Sequence, residues 1–117
     1  MISGEHWYIK INKKESMKIQ ELFDVSGKVA IVTGGSRGIG EMIASGFLAN
    51  GVKVYITARK EAALIEKAKE LSELHSGDCI PVPCDLSTMD GIDEFVNNIK
   101  SKEDHIDFLI NNAGASW

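Results

Sequence analysis

The chain has 117 residues, enough for one domain and too few for two. Hydrophobic residues make up 44%, charged residues 26%, and the net charge is −4, so it reads as a soluble globular chain whose acidic balance supports neither a nucleic-acid partner nor an anionic membrane surface. No apolar run approaches the ~20 residues that span a bilayer, and the N-terminal residues have no continuous apolar stretch or small-residue cleavage site, against a secretory leader.

Residues 1–20 are polar, carry Lys10, Lys13, Lys14 and Lys18, and follow neither a strand nor a helix period. They are expected to form an extension ahead of the domain, disordered through residue 16 and arising from a start upstream of Met17. A functional basic arm is the alternative, disfavoured by the acidic residues that interrupt the run. The domain is expected to occupy residues 21–117.

A first strand is predicted over Lys28–Thr33, from the apolar run Val29-Ala30-Ile31-Val32. Thr33-Gly34-Gly35-Ser36-Arg37-Gly38-Ile39-Gly40 then forms a glycine-rich turn that opens a helix, predicted over Gly38–Asn50 with Ile39, Ile43 and Phe47 on its buried face and Gly51 as the stop. A turn of this kind presents backbone N–H groups beside the positive end of a helix dipole, which suits a diphosphate. The bland reading, a turn that only closes a strand–helix unit, is disfavoured by the strand before it and the helix after it. The ending Gly38-Ile39-Gly40-Glu41 lacks the Lys-Ser/Thr of a nucleotide-hydrolysing loop.

The second strand is predicted over Lys53–Thr57. Dinucleotide sites that select NAD place a carboxylate near this strand end to bond the ribose 2′-hydroxyl. Here Ala58-Arg59-Lys60 follows instead, and a guanidinium suits a 2′-phosphate through a forked, charge-assisted contact. A helix is predicted over Lys60–Leu74, burying Leu64, Ala68 and Leu71. The third strand is predicted over Cys79–Val82. Cys79 and Cys84 stand an odd number of positions apart and should face opposite sides, which argues against a disulfide; with His6, His75 and His105 showing no ligand spacing, no metal site is expected. Two reduced, packed thiols fit a cytoplasmic location. Ser87-x-x-Asp90 reads as a capping box for a third helix whose Ile92, Phe95, Val96 and Ile99 follow the helical repeat, and Phe108–Ile110 is the fourth strand. Alternating strands and helices give an α/β fold, a doubly wound parallel sheet of the Rossmann type. It is incomplete, with its first four strands in the order 3-2-1-4 and a ligand edge at their carboxyl ends.

The T-G-x-x-x-G-x-G pattern of Thr33–Gly40, Asp85-Leu86 after the third strand, and Asn111-Asn112-Ala113-Gly114 after the fourth together resemble the classical short-chain dehydrogenase/reductase family over residues 21–117. Thr57-Ala58-Arg59 and the ending Ala115-Ser116-Trp117 look most like its 3-oxoacyl-thioester (3-oxoacyl-[acyl-carrier-protein]) reductase branch. The resemblance implies a cofactor site made of Gly34, Gly35, Ser36, Arg37, Gly38, Ile39 and Gly40 around the diphosphate. Arg59, with Arg37 from the other side, would take the 2′-phosphate, Asp85 and Leu86 the adenine, and Asn111, Ala113 and Gly114 the ribose and nicotinamide. NADP(H) is therefore favoured over NAD(H). For Asn111 and Asn112 a structural role stands beside direct contact, and Glu61 is a competing partner for either arginine.

The family's catalytic serine, its Tyr-x-x-x-Lys pair and a further asparagine lie well beyond the N-N-A-G segment. Tyr8 and Tyr55 have Asn12 and Arg59 four positions on, and Ser116 comes too early, so no catalytic residue is assigned. The chain is expected to be the NADP(H)-binding portion of an oxidoreductase acting on a ketone or 3-oxoacyl thioester, with homo-oligomers expected for a full-length form. The alternatives are a non-catalytic dinucleotide-binding module and, against Arg59, a methyltransferase-like domain. Without further strands, Phe108–Ile110 would be an exposed edge, and the isolated chain is expected to be marginally stable or to associate.

Overall fold

In the computed structural model the described residues are 8–10 and 16–114; the Ala115-Ser116-Trp117 ending, and residues 1–7 and 11–15 of the expected extension, lie outside them. Within the expected extension, β1 (Tyr8–Lys10) pairs antiparallel with β2 (Ser16–Lys18), and a single helical turn, α1 (Ile19–Leu22), leads toward the sheet.

The sheet has four parallel strands: β3 (Val29–Thr33), β4 (Lys53–Thr57), β5 (Cys79–Pro81) and β6 (Phe108–Ile110), in the spatial order β5-β4-β3-β6. Counted within this sheet alone, that is 3-2-1-4, the expected doubly wound order. β3 lies at its centre and is buried on both faces along its whole length, which is why Val29-Ala30-Ile31-Val32 reads as an unbroken apolar run rather than an alternating one. Val29 aligns with Lys53 and Thr33 with Thr57, so β3 and β4 end at the same level.

Strand alternation divides the core in two. Ala30, Val32, Val54 and Ile56 face α2 (Gly38–Ala49) and α3 (Glu61–His75), meeting Ala44, Leu48, Leu64, Ala68 and Leu71. Val29, Ile31 and Tyr55 face α4 (Met89–Lys102), meeting Phe95 and Ile99. Cys79 belongs to the first cluster and Cys84 packs against the second, so the two thiols do face opposite sides and both are free. Burial pushes the Cys79 thiol up to about 12.

Three local expectations shift. The stripe that α2 buries is Gly40, Ala44 and Leu48, one residue on from Ile39, Ile43 and Phe47. Ile39 is exposed, while Ile43 and Phe47 are half-buried at the edge of the core. Phe47 stacks on Phe108 of β6 with ring centroids 5.3 Å apart. On α4, Phe95 and Ile99 are buried but Ile92 and Val96 stay open to solvent. The α4 cap is Thr88, whose hydroxyl accepts from the Gly91 N–H at 3.0 Å, and not Ser87. The third-strand ladder runs past Pro81, because the Val82 N–H still donates to Ile56 O at 2.9 Å.

At the amino-terminal edge of the sheet, Glu103 at the end of α4 accepts from the Tyr55 hydroxyl at 2.7 Å and pairs with Lys53 at 2.5 Å. Asp107 accepts from the Val29 N–H at 2.9 Å. These contacts fasten α4 and the approach to β6 to the two central strands. Among the described residues no helix is long and apolar enough to cross a membrane.

Candidate functional site

Parallel strands of equal reach bring their carboxyl ends to one edge, and every segment singled out in the sequence leaves the sheet there. The Gly34 N–H donates to Thr57 O at 2.9 Å, tying the glycine turn to the end of β4. The Cys84 N–H donates to Ala58 O at 3.1 Å, drawing the approach to Asp85 alongside the segment that carries Arg59.

The junction with β6 rests on Thr33. Its buried hydroxyl accepts from the backbone N–H groups of Asn112 and Ala113, both at 2.9 Å, and donates to Ile110 O at 3.3 Å. The Asn112 side chain adds a bond from Nδ2 to Gly34 O at 3.3 Å. One hydroxyl and one amide thus weld the Asn111–Gly114 segment onto the glycine turn. Sequence reasoning assigned Thr33 no role although it heads the glycine motif, and left Asn112 between a structural role and direct contact; its bond to Gly34 O is of the structural kind.

Within the turn, Gly38 adopts φ +60°, which a side chain would strain. Gly40 is buried, and a Cβ there would run into the Gly34 carbonyl and lie 2.6 Å from Asn112 Nδ2. The start of α2 therefore lies directly against the turn that follows β3 and against the Asn112 side chain that follows β6. Its N-cap, Arg37, supplies no side-chain hydrogen bond. Among the described residues the first N–H groups of this 12-residue helix thus meet no capping side chain, the arrangement in which a helix dipole favours an anion. Ser36 is half-buried, and Arg37, Gly38 and Ile39 are exposed.

Arg59 is exposed just past β4, and no carboxylate occupies the strand end. Among the described residues neither Arg37 nor Arg59 forms an ion pair, and Glu61 is paired with neither. Asp85 is held below the usual carboxylate range, first by the Ser87 hydroxyl and backbone N–H, with the Arg59 charge a smaller contribution. That coupling puts a cation and an ionised carboxylate near each other at one end of the edge. The Leu86 side chain packs against the α4-side core. Asn111, Ala113 and Gly114 are exposed at the opposite end, beyond β6. No cluster of metal-ligating side chains occurs among the described residues.

The family model described as short chain dehydrogenase matches residues 28–117. The chain is 44% identical over 95 residues to a rhamnolipids biosynthesis 3-oxoacyl-[acyl-carrier-protein] reductase of Pseudomonas aeruginosa, covering 81% of this chain and 36% of that one. It is 45% identical over 101 residues to a fatty acyl-CoA reductase of Acinetobacter baylyi, covering 85% and 34%. The chain thus spans about a third of the length of these curated relatives. Among solved structures it resembles the Pseudomonas aeruginosa RhlG/NADP active-site complex, with a TM-score of 0.76 and 44% identity over 80% of this chain and 37% of that one. It also resembles L-sorbose reductase from Gluconobacter frateurii complexed with NADPH and L-sorbose, with a TM-score of 0.73 and 40% identity over 77% and 34%.

Proposed function

The chain belongs to the short-chain dehydrogenase family, and from that membership we propose that it is the NADP(H)-binding portion of an oxidoreductase. The observation that carries this reading is the pairing of an uncapped α2 N-terminus with a β4 end that bears Arg59 in place of a carboxylate. The first feature suits a pyrophosphate and the second suits a phosphate on the adenosine ribose. Relatives solved with NADP and NADPH support the same choice.

When bound, the cofactor supplies or takes up the hydride. The chain's own residues bind and orient it. The turn from Gly34 to Gly40 receives the diphosphate, Arg37 and Arg59 grip the 2′-phosphate, and Asp85 with the Leu86 backbone takes the adenine. Asn111, Ala113 and Gly114 border the ribose and nicotinamide, held in register by Thr33 and Asn112. A ketone or 3-oxoacyl thioester is the substrate class, supported by the 3-oxoacyl reductase among the relatives. No proton donor to that substrate is assigned within these residues: no tyrosine of the chain has a lysine four positions later.

Arg59→Asp tests the assignment. It should weaken NADPH binding by about a hundredfold, through loss of a charge-assisted contact and gain of a repulsive one, and leave NADH binding unchanged or improved. An equal effect on both cofactors would exclude Arg59 from the 2′-phosphate.

A further inference from the structure

The loop from Asp85 to Gly91 contains an arrangement that cofactor binding as described above does not use. Oδ1 of Asp85 accepts from both the backbone N–H of Ser87, at 3.0 Å, and its hydroxyl, at 2.6 Å. Among the described residues Oδ2 receives no hydrogen bond. Ser87 is not spent on the helix, because Thr88 caps α4, accepting from the Gly91 N–H at 3.0 Å and donating to Asp85 O at 3.3 Å. The backbone of Asp85 is fixed from below as well. Gly91 sits so close beneath it that a Cβ would collide with the Asp85 carbonyl oxygen. The carboxylate is therefore set by one neighbour and its main chain by two others.

We propose that Ser87 is a positioning residue: by occupying Oδ1 of Asp85 it presents Oδ2 as a single acceptor for the exocyclic amine of the cofactor's adenine, and so sets the preference for adenine over a base with a carbonyl at that position. This rests on the NADP(H) reading above. An untethered carboxylate on an exposed loop rotates freely and must be ordered when ligand binds; one already held by two donors does not pay that ordering cost again. The same two donors keep Asp85 ionised, hence acceptor-only, at neutral pH. Hypoxanthine, which carries a carbonyl in place of the amine, would set two acceptors face to face.

The experiment is a fluorescence titration of the 117-residue chain with NADPH and with its hypoxanthine analogue. The unsubstituted chain should prefer NADPH by about tenfold, the scale of one hydrogen bond to a charged group. Ser87→Ala should reduce that preference to about twofold, and Ser87→Thr should keep it. A purely structural contribution would weaken both ligands equally and leave the ratio intact, so an unchanged ratio in Ser87→Ala overturns the proposal. Asp85→Asn gives an independent arm. With Ser87 still donating to the amide oxygen, the NH₂ group faces outward and the preference should invert toward the hypoxanthine analogue; in Asp85→Asn combined with Ser87→Ala the inversion should vanish. Inversion that survives in the double variant would also overturn it. If the unsubstituted chain bound neither dinucleotide saturably, the cofactor reading itself would fail and this inference with it.

Discussion

Replacing Thr33 with valine removes one hydroxyl at nearly constant volume and tests whether that hydroxyl joins the glycine turn to the segment after β6. Three bonds are lost: from Asn112 N and Ala113 N, each at 2.9 Å, and to Ile110 O at 3.3 Å. The Asn112 N–H keeps a bond to Ile110 O at 3.1 Å, whereas the Ala113 N–H keeps none among the described residues. Both amides belong to exposed residues, so water replaces part of what is lost. At about 1 kcal/mol per bond, the cost should be about 1–2 kcal/mol, short of the full sum. For a domain of this size that lowers the melting temperature by roughly 5–10 °C. NADPH affinity should fall further, by about tenfold, because the loop proposed to border the nicotinamide side loses its anchor. Thr33→Ser, which keeps the oxygen, should bind like the unsubstituted chain. Thermal melting followed by circular dichroism and NADPH fluorescence titration read the two effects. If Thr33→Val melted and bound as the unsubstituted chain does, the weld would not run through this hydroxyl.

Three further changes test other parts of the structure. Glu103 is held below the usual carboxylate range, first by Lys53 and then by the Tyr55 hydroxyl; its stabilisation is therefore complete above about pH 4.3 and is lost as pH falls through the lower folded value. Glu103→Gln should cost about 1 kcal/mol at pH 7, with the gap in melting temperature closing toward pH 3; a gap independent of pH would refute the charge contribution. Ser76 ends α3 at φ 49°, so Ser76→Gly should raise stability by about 1 kcal/mol in urea unfolding, and a loss would mean its side chain holds something the backbone geometry does not reveal. Leu109 is 57% exposed on β6, which pairs only with β3 among the described residues. Leu109→Lys should reduce self-association of the 117-residue chain in sedimentation runs, while a monodisperse unsubstituted chain would remove the premise.

Much of this architecture was legible because strand and helix leave different periods in the sequence. β3 through β6 fall within two residues of their expected limits, and the spatial order followed from the alternation of elements. The buried face of α2 was harder to read. Large apolar residues suggested Ile39, Ile43 and Phe47, yet the buried stripe uses small ones: Gly40 lies against the Gly34 carbonyl of the turn after β3, and Ala44 packs in the core. Periodicity identifies an apolar face only where bulky residues mark it. The α4 cap was displaced for a related reason: Ser87 and Thr88 are both competent caps, and only the geometry reveals that Ser87 is committed to Asp85. The same limit hid the role of Thr33 and left that of Asn112 open between structure and cofactor contact, because their partners are backbone atoms roughly 80 residues away and leave no local pattern.

Calorimetric titration of the chain with NADPH and, separately, NADH under identical low-salt conditions probes the site as a whole. Saturable binding of both, with NADPH tighter by at least about tenfold and that advantage shrinking as salt rises, is the predicted result. Absence of saturable binding would contradict the diphosphate site at the start of α2. Equal affinity for the two dinucleotides would contradict the roles given to Arg37 and Arg59.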